Sequence, residues 1–573
     1  MPFSFRTTWI VMTTALVCFI VTSEFVIDIT QYEIWSDLVV GADFVLLALF
    51  TLRLLVDGWR SEYGLLSTMK KNQLDFFLIS GCWLLSFDGP RAASALIIVR
   101  LTFKAAAWAL KESSDQSADI LSRARPSHIL GLSFLALIAF GSILLMFPAA
   151  TVDGQGLSFT DAIFTITSAA CVTGLVVVST AEHFTFFGHL VILFCIQVGG
   201  IEIMVLSAAF LSKVGGFLPS RQTASLGAMV DEKSTAGVTR LVTTVTSTTI
   251  IVETVGALLL WLLWGMDSLT LPEKYDSITG ALWWCIFHAI SGFCQGGFSL
   301  APDSMSAFVG HLPLNLIFIT ITTIAGLGFV TVWELGQITR EQLKRPMHLW
   351  TQLDLQTRVI LVWTIVMNAV GVLLFIFFEY HQTLRGLDMI DKITASTFQV
   401  VNMRSTGLNT LPMSDVTLPT SIFSCIWMFI GSAPGSTGGG IRITTAVLVI
   451  LSVRAVLLGR NEAELYGRTI RQNLMYRAMT IVMVSAALLA ISTMALTATH
   501  DFPLEKALFE ITSALGTVGL SMGVTPDLNL FGRWLIIVLM FVGRVGPLIL
   551  AMALGEQKPP QRYRYPEGSI TVG

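Results

Sequence analysis

The chain carries little charge. Only 13% of its 573 residues are Asp, Glu, Lys or Arg, while 54% are hydrophobic and the mean hydropathy is +0.73. A soluble domain holds about 25% charged residues, so a water-soluble globule is excluded. Cysteine is scarce too. The seven residues Cys18, Cys82, Cys171, Cys195, Cys285, Cys294 and Cys425 all lie in or beside apolar runs, and none forms a CxxC pair. A disulfide framework or a metal cluster is therefore not expected. The histidines have no metal-ligand spacing, there is no GxGxxG or Walker sequence, and no nucleophile–base set appears. An enzyme is not expected, nor an organic cofactor, nor a nucleic-acid partner. The net charge of −3 names no partner by itself.

What is present is a series of apolar runs that approach or exceed the roughly 20 residues needed to cross a bilayer as a helix. Alternating segments of about 10 residues, the mark of a β-barrel, are not seen. The pattern predicts an all-α polytopic membrane protein. The first run, Thr8–Ile27, lacks a small-residue cleavage site and reads as a span, not a leader. Residues 1–115 hold four such segments, with Asp75 at the start of the third and Arg91, Arg100 and Lys104 on the fourth. This block resembles a voltage-sensor-like four-helix bundle. A working sensor repeats Arg every third residue, each charge contributing about 2.3 kcal/mol per 100 mV. Here only Arg100 and Lys104 lie well inside the helix, so a structural or docking bundle is the favoured reading and voltage response the alternative. Residues 116–128 read as a cytoplasmic linker.

From about residue 129 the chain repeats itself. Four stretches, Ala162–Leu175, Cys285–Phe298, Ala395–Leu408 and Ala507–Met522, share one form: a short apolar run ending at Gly174, Gly297, Gly407 or Gly519. These glycines are 123, 110 and 112 residues apart. An internal period of this kind decides architecture. Each short run, too short to span, lies between two long ones, which predicts four membrane–pore–membrane repeats: 129–240, 241–356, 357–473 and 474–573 with the tail. A single glycine of this type reads as a helix C-cap; four at matching offsets point to re-entrant segments. In the second repeat 313–336 is expected as one helix. In the third, Gly431–Gly440 (GSAPGSTGGG) interrupts the second helix, because one Pro and five Gly in ten residues cannot continue it; a plain kink is the simpler alternative.

Basic residues mark the cytoplasmic loops. Lys213, Arg221, Lys233 and Arg240 follow the first repeat, Arg340, Lys344 and Arg345 the second, and Arg454, Arg460, Arg468, Arg471 and Arg477 the third. Acids such as Asp153, Glu182, Asp303, Asp415 and Asp527 flank the glycine segments. The glycine segments thus enter from outside and both termini are cytoplasmic. Irregular backbone at membrane depth is tolerated only when buried in protein or lining water. Four glycine loops facing one axis can offer rings of carbonyl oxygens that replace a cation's hydration shell, and each short helix points its negative C-terminal end the same way. No acidic ring suited to a divalent cation appears, so a dehydrated monovalent cation is the expected cargo.

Six motifs in order, VTGL at 172–175, FHAISGFCQGGFSL at 287–300, MRSTGLNT at 403–410, GSAPGSTGGGIRITT at 431–445, SALGTVGLSM at 513–522 and GRVGPL at 543–548, are similar to those of the Trk/Ktr/HKT superfamily of potassium transporters. The tail RYPEGSITVG resembles Ktr-type endings. The resemblance implies a four-loop selectivity filter binding K+ through backbone carbonyls of Val172, Thr173, Gly174, Gln295, Gly296, Gly297, Ser405, Thr406, Gly407, Thr517, Val518 and Gly519, and a glycine in all four loops implies potassium preference. It implies an intramembrane gate formed by Gly431, Ser432, Pro434, Gly435, Ser436, Thr437, Gly438, Gly439 and Gly440. Arg544 is then a barrier in the pore, and Arg404 a brace for the filter. It further implies a homodimer with one pore per protomer, set on a cytoplasmic nucleotide-binding (RCK-type) ring, in the plasma membrane of the cell. Two departures bear on selectivity: Cys294-Gln295-Gly296-Gly297 replaces the usual Asn-Asn-Ala-Gly, and Cys171 stands three before Gly174.

Arg544 lies about 14 residues into the last helix, roughly 21 Å at 1.5 Å per residue, and a buried arginine in a membrane costs about 2.5–3.5 kcal/mol on insertion scales. The simplest alternative for it is an arginine satisfied by helix-end carbonyls. Glu202, in QVGGIEIM, lies at a similar depth where the family has glycine. It could pair with Arg544 or Arg442, line the pore as a cation stop, or hydrogen-bond the gate backbone. The expected function is potassium uptake driven by membrane potential, with Na+ or H+ coupling open and sodium as the other cargo. The alternatives are a voltage-modulated or Na+-permeable cation channel gated by the N-terminal bundle, and a midplane-binding transporter for another solute.

Overall fold

The computed structural model describes residues 126–201, 235–266, 268–338, 350–460 and 462–546. The N-terminal bundle expected at 1–115, most of the linker, Glu202 and the C-terminal tail lie outside the described residues. Within them the chain is helical, apart from one small hairpin. In order come α1 (Pro126–Leu145), α2 (Phe159–Ala170), α3 (Phe186–Gly200), α4 (Thr235–Gly265), α5 (Ile278–Cys294), α6 (Leu312–Gly326), α7 (Phe329–Gly336), α8 (Leu355–Glu379), α9 (Met389–Asn402), α10 (Leu418–Phe429), α11 (Ile443–Leu457), α12 (Gln472–Thr499), α13 (Leu504–Gly516) and α14 (Leu530–Val545). The hairpin pairs β1 (Ala463–Leu465) with β2 (Arg468–Ile470) antiparallel.

Local chemistry sets the short helices. Ser158 and Ser277 cap α2 and α5, their hydroxyls accepting the amides of Asp161 and Gly280 at 3.3 and 3.1 Å, which satisfies N–H groups that no helical carbonyl can reach. Pro503 precedes α13, where its missing N–H costs nothing. At their C-terminal ends α5 and α13 pass into left-handed residues, Gln295 and Thr517.

The four short helices pack in a cycle. Each touches the long helix before it, and each also touches a helix from a neighbouring group: α5 on α3, α9 on α6, α13 on α10, and α2 on α14 near the far end of the chain. The last contact closes the ring. Phe164, Phe287, Phe398 and Phe509 are fully buried, one from each short helix. The outward faces are different. Leu262, Ile365, Leu373, Phe377, Met483, Ile491 and Met494 are each more than half exposed, an apolar surface far beyond what a soluble monomer leaves in water. The stretch Val242–Gly265 of α4, and the helices α8 (Leu355–Glu379) and α12 (Gln472–Thr499), are long and apolar enough to cross a membrane, and α6 with α7 would make a fourth span if counted together.

Two expectations about element boundaries need correction. Residues 313–336 are not one helix: α6 and α7 meet at a 101° bend around Leu327-Gly328. No proline announces the break, but Gly326 and Gly328 flank Leu327, and Gly328 takes a positive φ of 83° that no α-helix uses. The first long helix of the second group, which the apolar run places at 241–265, starts earlier, at Thr235.

Close helix approach needs glycine at two corresponding places. A Cβ on Gly199 of α3 would lie 2.0 Å from the Ala170 carbonyl oxygen at the end of α2, and one on Gly543 of α14 would lie 2.2 Å from that of Leu515 on α13. Gly199→Ala is therefore expected to destabilise the folded protein by about 1–3 kcal/mol, read as a lower melting temperature in detergent; an unchanged Tm would show that the two helices can separate freely.

Candidate functional site

The four glycine loops meet. Gly174, Gly297, Gly407 and Gly519 all have positive φ, 98°, 72°, 74° and 93°, a region that glycine reaches without strain. They are also adjacent in a closed order. A Cβ on Gly174 would stand 2.9 Å from the Gly296 carbonyl oxygen, one on Gly297 2.7 Å from that of Thr406, one on Gly407 2.3 Å from that of Val518, and one on Gly519 2.0 Å from that of Thr173. The carbonyl that precedes each glycine thus lies against the glycine of the loop before it in the ring. In three loops the residue two before the glycine is also left-handed: Val172 (φ 56°), Gln295 (φ 62°) and Thr517 (φ 49°). Such conformations cost of order 1–3 kcal/mol each for non-glycine residues and persist only where the surroundings over-determine them.

Hydrogen bonds behind the loops do this. The amides of Gly174 and Gly519 each donate to the hydroxyl of the serine six residues earlier, Ser168 and Ser513, at 3.0 Å. Ser291, at the same offset in the second loop, donates instead to the Phe298 carbonyl at 2.7 Å. The third loop is built otherwise: Ser405, Thr406 and Gly407 all direct their amides to the carbonyl of Asn402. Thr173, Thr406 and Thr517 are fully buried, yet their hydroxyl oxygens have no hydrogen-bond partner within the protein. Buried hydroxyls without a partner are costly, and one stands beside the loop glycine in the first and third loops and two before it in the fourth.

The segment 431–440 folds as a loop against one side of this ring. Its ends are tied together by the Gly431 amide to the Ile441 carbonyl (2.9 Å) and the Ile443 amide to that of Ser432 (3.1 Å). Gly438 approaches Gln295 and Ser405 so closely that a Cβ there would lie 2.6 Å from Gln295 Oε1; one on Gly439 would lie 2.0 Å from Thr517 Oγ1. Side chains add further ties. Ser432 Oγ reaches Ser405 Oγ at 3.0 Å, Thr437 Oγ1 donates to the Phe293 carbonyl at 3.2 Å, and Ser436 Oγ donates to the Ala433 carbonyl at 2.7 Å. The loop therefore touches the second, third and fourth glycine loops together.

Three arginines hold it. Arg544 is buried and donates to the Thr437 carbonyl and, through Nη2, to that of Gly199 at 2.6 Å. Arg442 donates from Nη1 to the carbonyls of Gly438 and Ala433 and to Ser436 Oγ. Arg404 donates to the Gly431 carbonyl at 3.3 Å and to Asn368 Oδ1 at 3.4 Å. Arg544 and Arg442 thus meet backbone carbonyls, and whether Glu202 joins them lies outside the described residues. At the start of the two helices, Arg533 of α14 forms an ion pair with Asp161 of α2.

Some participants escaped the sequence reading. The break between α6 and α7 is one: it frees the Gly326 carbonyl, which accepts the Ala433 amide (3.1 Å), and the Phe329 amide, which donates to the Gly435 carbonyl (2.8 Å). Gly328, at φ 83°, passes so near that a Cβ would lie 2.6 Å from the Pro434 carbonyl oxygen. Glu253 is another. Buried midway along α4, it accepts Gln197 Nε2 at 3.0 and 3.2 Å and faces the Cys294 thiol at 3.5 Å, directly before Gln295. A lone acid in an apolar run was the available signal. No group of three metal-ligating His, Cys, Asp or Glu side chains occurs among the described residues.

Comparison with known proteins gives a consistent result. A family model described as TrkH, cation transport protein, matches residues 91–561. Ktr system potassium uptake protein B of Bacillus subtilis is 34% identical over 453 residues, covering 79% of this chain and 97% of that protein. Potassium/sodium uptake protein NtpJ of Enterococcus hirae is 32% identical over 465 residues, covering 79% and 98%. The crystal structure of the potassium transporter TrkH from Vibrio parahaemolyticus superposes with a TM-score of 0.58 at 21% identity, covering 76% of this chain and 86% of that one, a likeness of fold.

Because the 431–440 loop docks on the helix break, Gly328→Ala is expected to cost about 1–3 kcal/mol and to loosen the loop. Cation flux per folded protein should rise while ion preference stays constant; an unchanged flux at normal expression would uncouple the break from the loop.

Proposed function

The chain belongs to the TrkH family of cation transport proteins, and from that premise we propose that it takes up potassium across the plasma membrane through a pore lined by the four glycine loops. Four membrane–pore–membrane repeats surround that pore, with boundaries near 129, 241, 357 and 474, and residues 1–115 form a separate four-helix bundle. The observation that supports this best is the closed order of four positive-φ glycines, each set against the preceding loop residue's carbonyl from its neighbour. Carbonyl dipoles so arranged can replace the hydration shell of a monovalent cation. Two relatives that the chain nearly covers are named for potassium uptake and for potassium/sodium uptake.

In this reading K+ sheds water at the carbonyls of Val172–Gly174, Gln295–Gly297, Ser405–Gly407 and Thr517–Gly519. The 431–440 loop closes the path on the inner side. Arg544 acts both as its anchor and as a positive barrier. The membrane potential drives the ion inward, with Na+ or H+ coupling as a further element. The chain works as a homodimer on a cytoplasmic RCK-type ring, with both termini inside. A second reading, passage of sodium as well as potassium, is favoured by the name of the Enterococcus relative and by the Cys-Gln-Gly-Gly sequence of the second loop.

Expression in a bacterium deficient in potassium uptake tests this, with growth at low potassium as the readout, with and without a ring subunit. Rescue is expected. Gly519→Ser introduces a side chain where a Cβ alone would lie 2.0 Å from the Thr173 carbonyl oxygen; it is expected to lower the K+ over Na+ uptake ratio about tenfold, equivalent to 1.4 kcal/mol. Untouched selectivity in that variant would count against the filter.

A further inference from the structure

Nine residues before its loop glycine, each short helix carries a buried side chain: Thr165, His288, Phe398 and Glu510. Two of these reach forward to the segment that leaves the loop. Both carboxyl oxygens of Glu510 are engaged. Ser521, two past Gly519, donates its hydroxyl to Oε2 at 2.8 Å, and Thr525, six past it, donates to Oε1. The two hydroxyl oxygens lie 3.0 Å apart, and the Gly523 amide donates to Ser521 Oγ at 3.1 Å. His288 acts likewise in the second loop. The Leu300 amide donates to Nε2 at 3.2 Å, so Nδ1 carries the proton and donates to the Trp284 carbonyl at 2.8 Å. Ser299 Oγ, two past Gly297, lies 3.1 Å from the same Nε2.

The other two loops lack this tie. Thr165 Oγ1 has no partner, and Phe398 has no polar atom. Gln399, one residue on, reaches Met413 through Nε2, and a thioether is a weak acceptor. In the ring order the second and fourth loops stand opposite each other, separated by the first and third.

We infer that Glu510 and His288 are specificity-determining positioning residues, which clamp the fourth and second loops from behind and so set the width of the ring along one diagonal. The inference rests on the reading of the four loops as the ion filter. Discrimination between cations of different radius depends on how far carbonyl oxygens resist closing on the smaller ion. That resistance comes from the bonds behind the loops, since neither Glu510 nor His288 touches the ion position. The first and third loops have no side chain at this offset that reaches forward, and are held instead by Ser168 and by Asn402 with the Asn409–Ser304 contact.

The test compares K+ and Na+ uptake in proteoliposomes. Glu510→Leu combined with Ser521→Ala and Thr525→Val removes the donors together with the acceptor, a change that leaves no buried polar atom stranded and so is mild for stability. Its K+ over Na+ ratio should fall about tenfold, equivalent to 1.4 kcal/mol, through a higher KM for K+ at a maintained maximal rate. Glu510→Gln, which keeps an acceptor, should stay near the parent ratio. Thr525→Val alone removes the Thr525 contacts to Glu510 and Ser521 and carries the test if the triple variant does not fold; Ser299→Ala removes the Ser299 contact to His288 in the second loop. An unchanged ratio in the folded clamp variants beside a shifted ratio in Gly519→Ser overturns the clamp and leaves the filter standing. Unchanged ratios in all of them, Gly519→Ser included, overturn the filter and the clamp with it.

Discussion

A peptide group at membrane depth has no water to bond to, so every N–H and C=O released from a helix must find a partner inside the protein. That constraint organises the molecule. The chain leaves helical geometry at four glycine loops, at the 431–440 loop and at the bend after Gly326, and these irregular pieces are gathered together. The bend and the 431–440 loop satisfy each other through Gly326 with Ala433 and Phe329 with Gly435. Arg544, Arg442 and Arg404 supply donors to the carbonyls of Thr437, Gly438, Ala433 and Gly431, which no helix can serve. A buried arginine, costly alone, here balances a set of orphaned acceptors.

The same constraint explains the lack of acidic side chains in the proposed pore lining. Carbonyl oxygens are available wherever backbone is irregular, and a strained left-handed residue turns them without adding charge. Buried acids stand behind the lining instead: Glu510 holds the outgoing strand of the fourth loop, and Glu253 backs the residue before the second. The loops are not equivalent. The first and fourth share the serine bond to the glycine amide, the second uses its serine and histidine on the outgoing strand, and the third relies on Asn402 and Arg404. A ring built from one covalent chain can differentiate its walls in this way, which four identical subunits cannot.

Much of this was legible beforehand. The spacing of Gly174, Gly297, Gly407 and Gly519 follows from backbone conformations that glycine alone reaches easily, so the residue type itself carries the signal. The run of glycines at 431–440 and the isolated Arg544 are readable for the same reason: few other uses for them exist in an apolar helix. The bend at Leu327-Gly328 was missed: its local signal is only the pair Gly326 and Gly328, and the contacts that hold it come from residues about a hundred positions away. His288 reads from the sequence as a core histidine on a short pore helix, while Glu510 escaped notice, as buried polar residues in apolar runs usually do. Their shared offset from a loop glycine was available in the sequence, but the offset acquires meaning only once Ser299, Leu300, Ser521 and Thr525 are seen to fold back over the short helices. The roles of Glu202 and of the N-terminal bundle lie outside the described residues.

The central claim is that a dehydrated monovalent cation rests among the carbonyls of Thr173, Gly296, Thr406 and Val518. Thallium(I), a potassium substitute with strong anomalous scattering, tests this in crystals of the full chain. An anomalous peak within the ring of those four carbonyls, lost when sodium replaces thallium, is the predicted result. A peak only elsewhere, for instance beside Glu253 or at the lipid face, with none inside the ring, would contradict it.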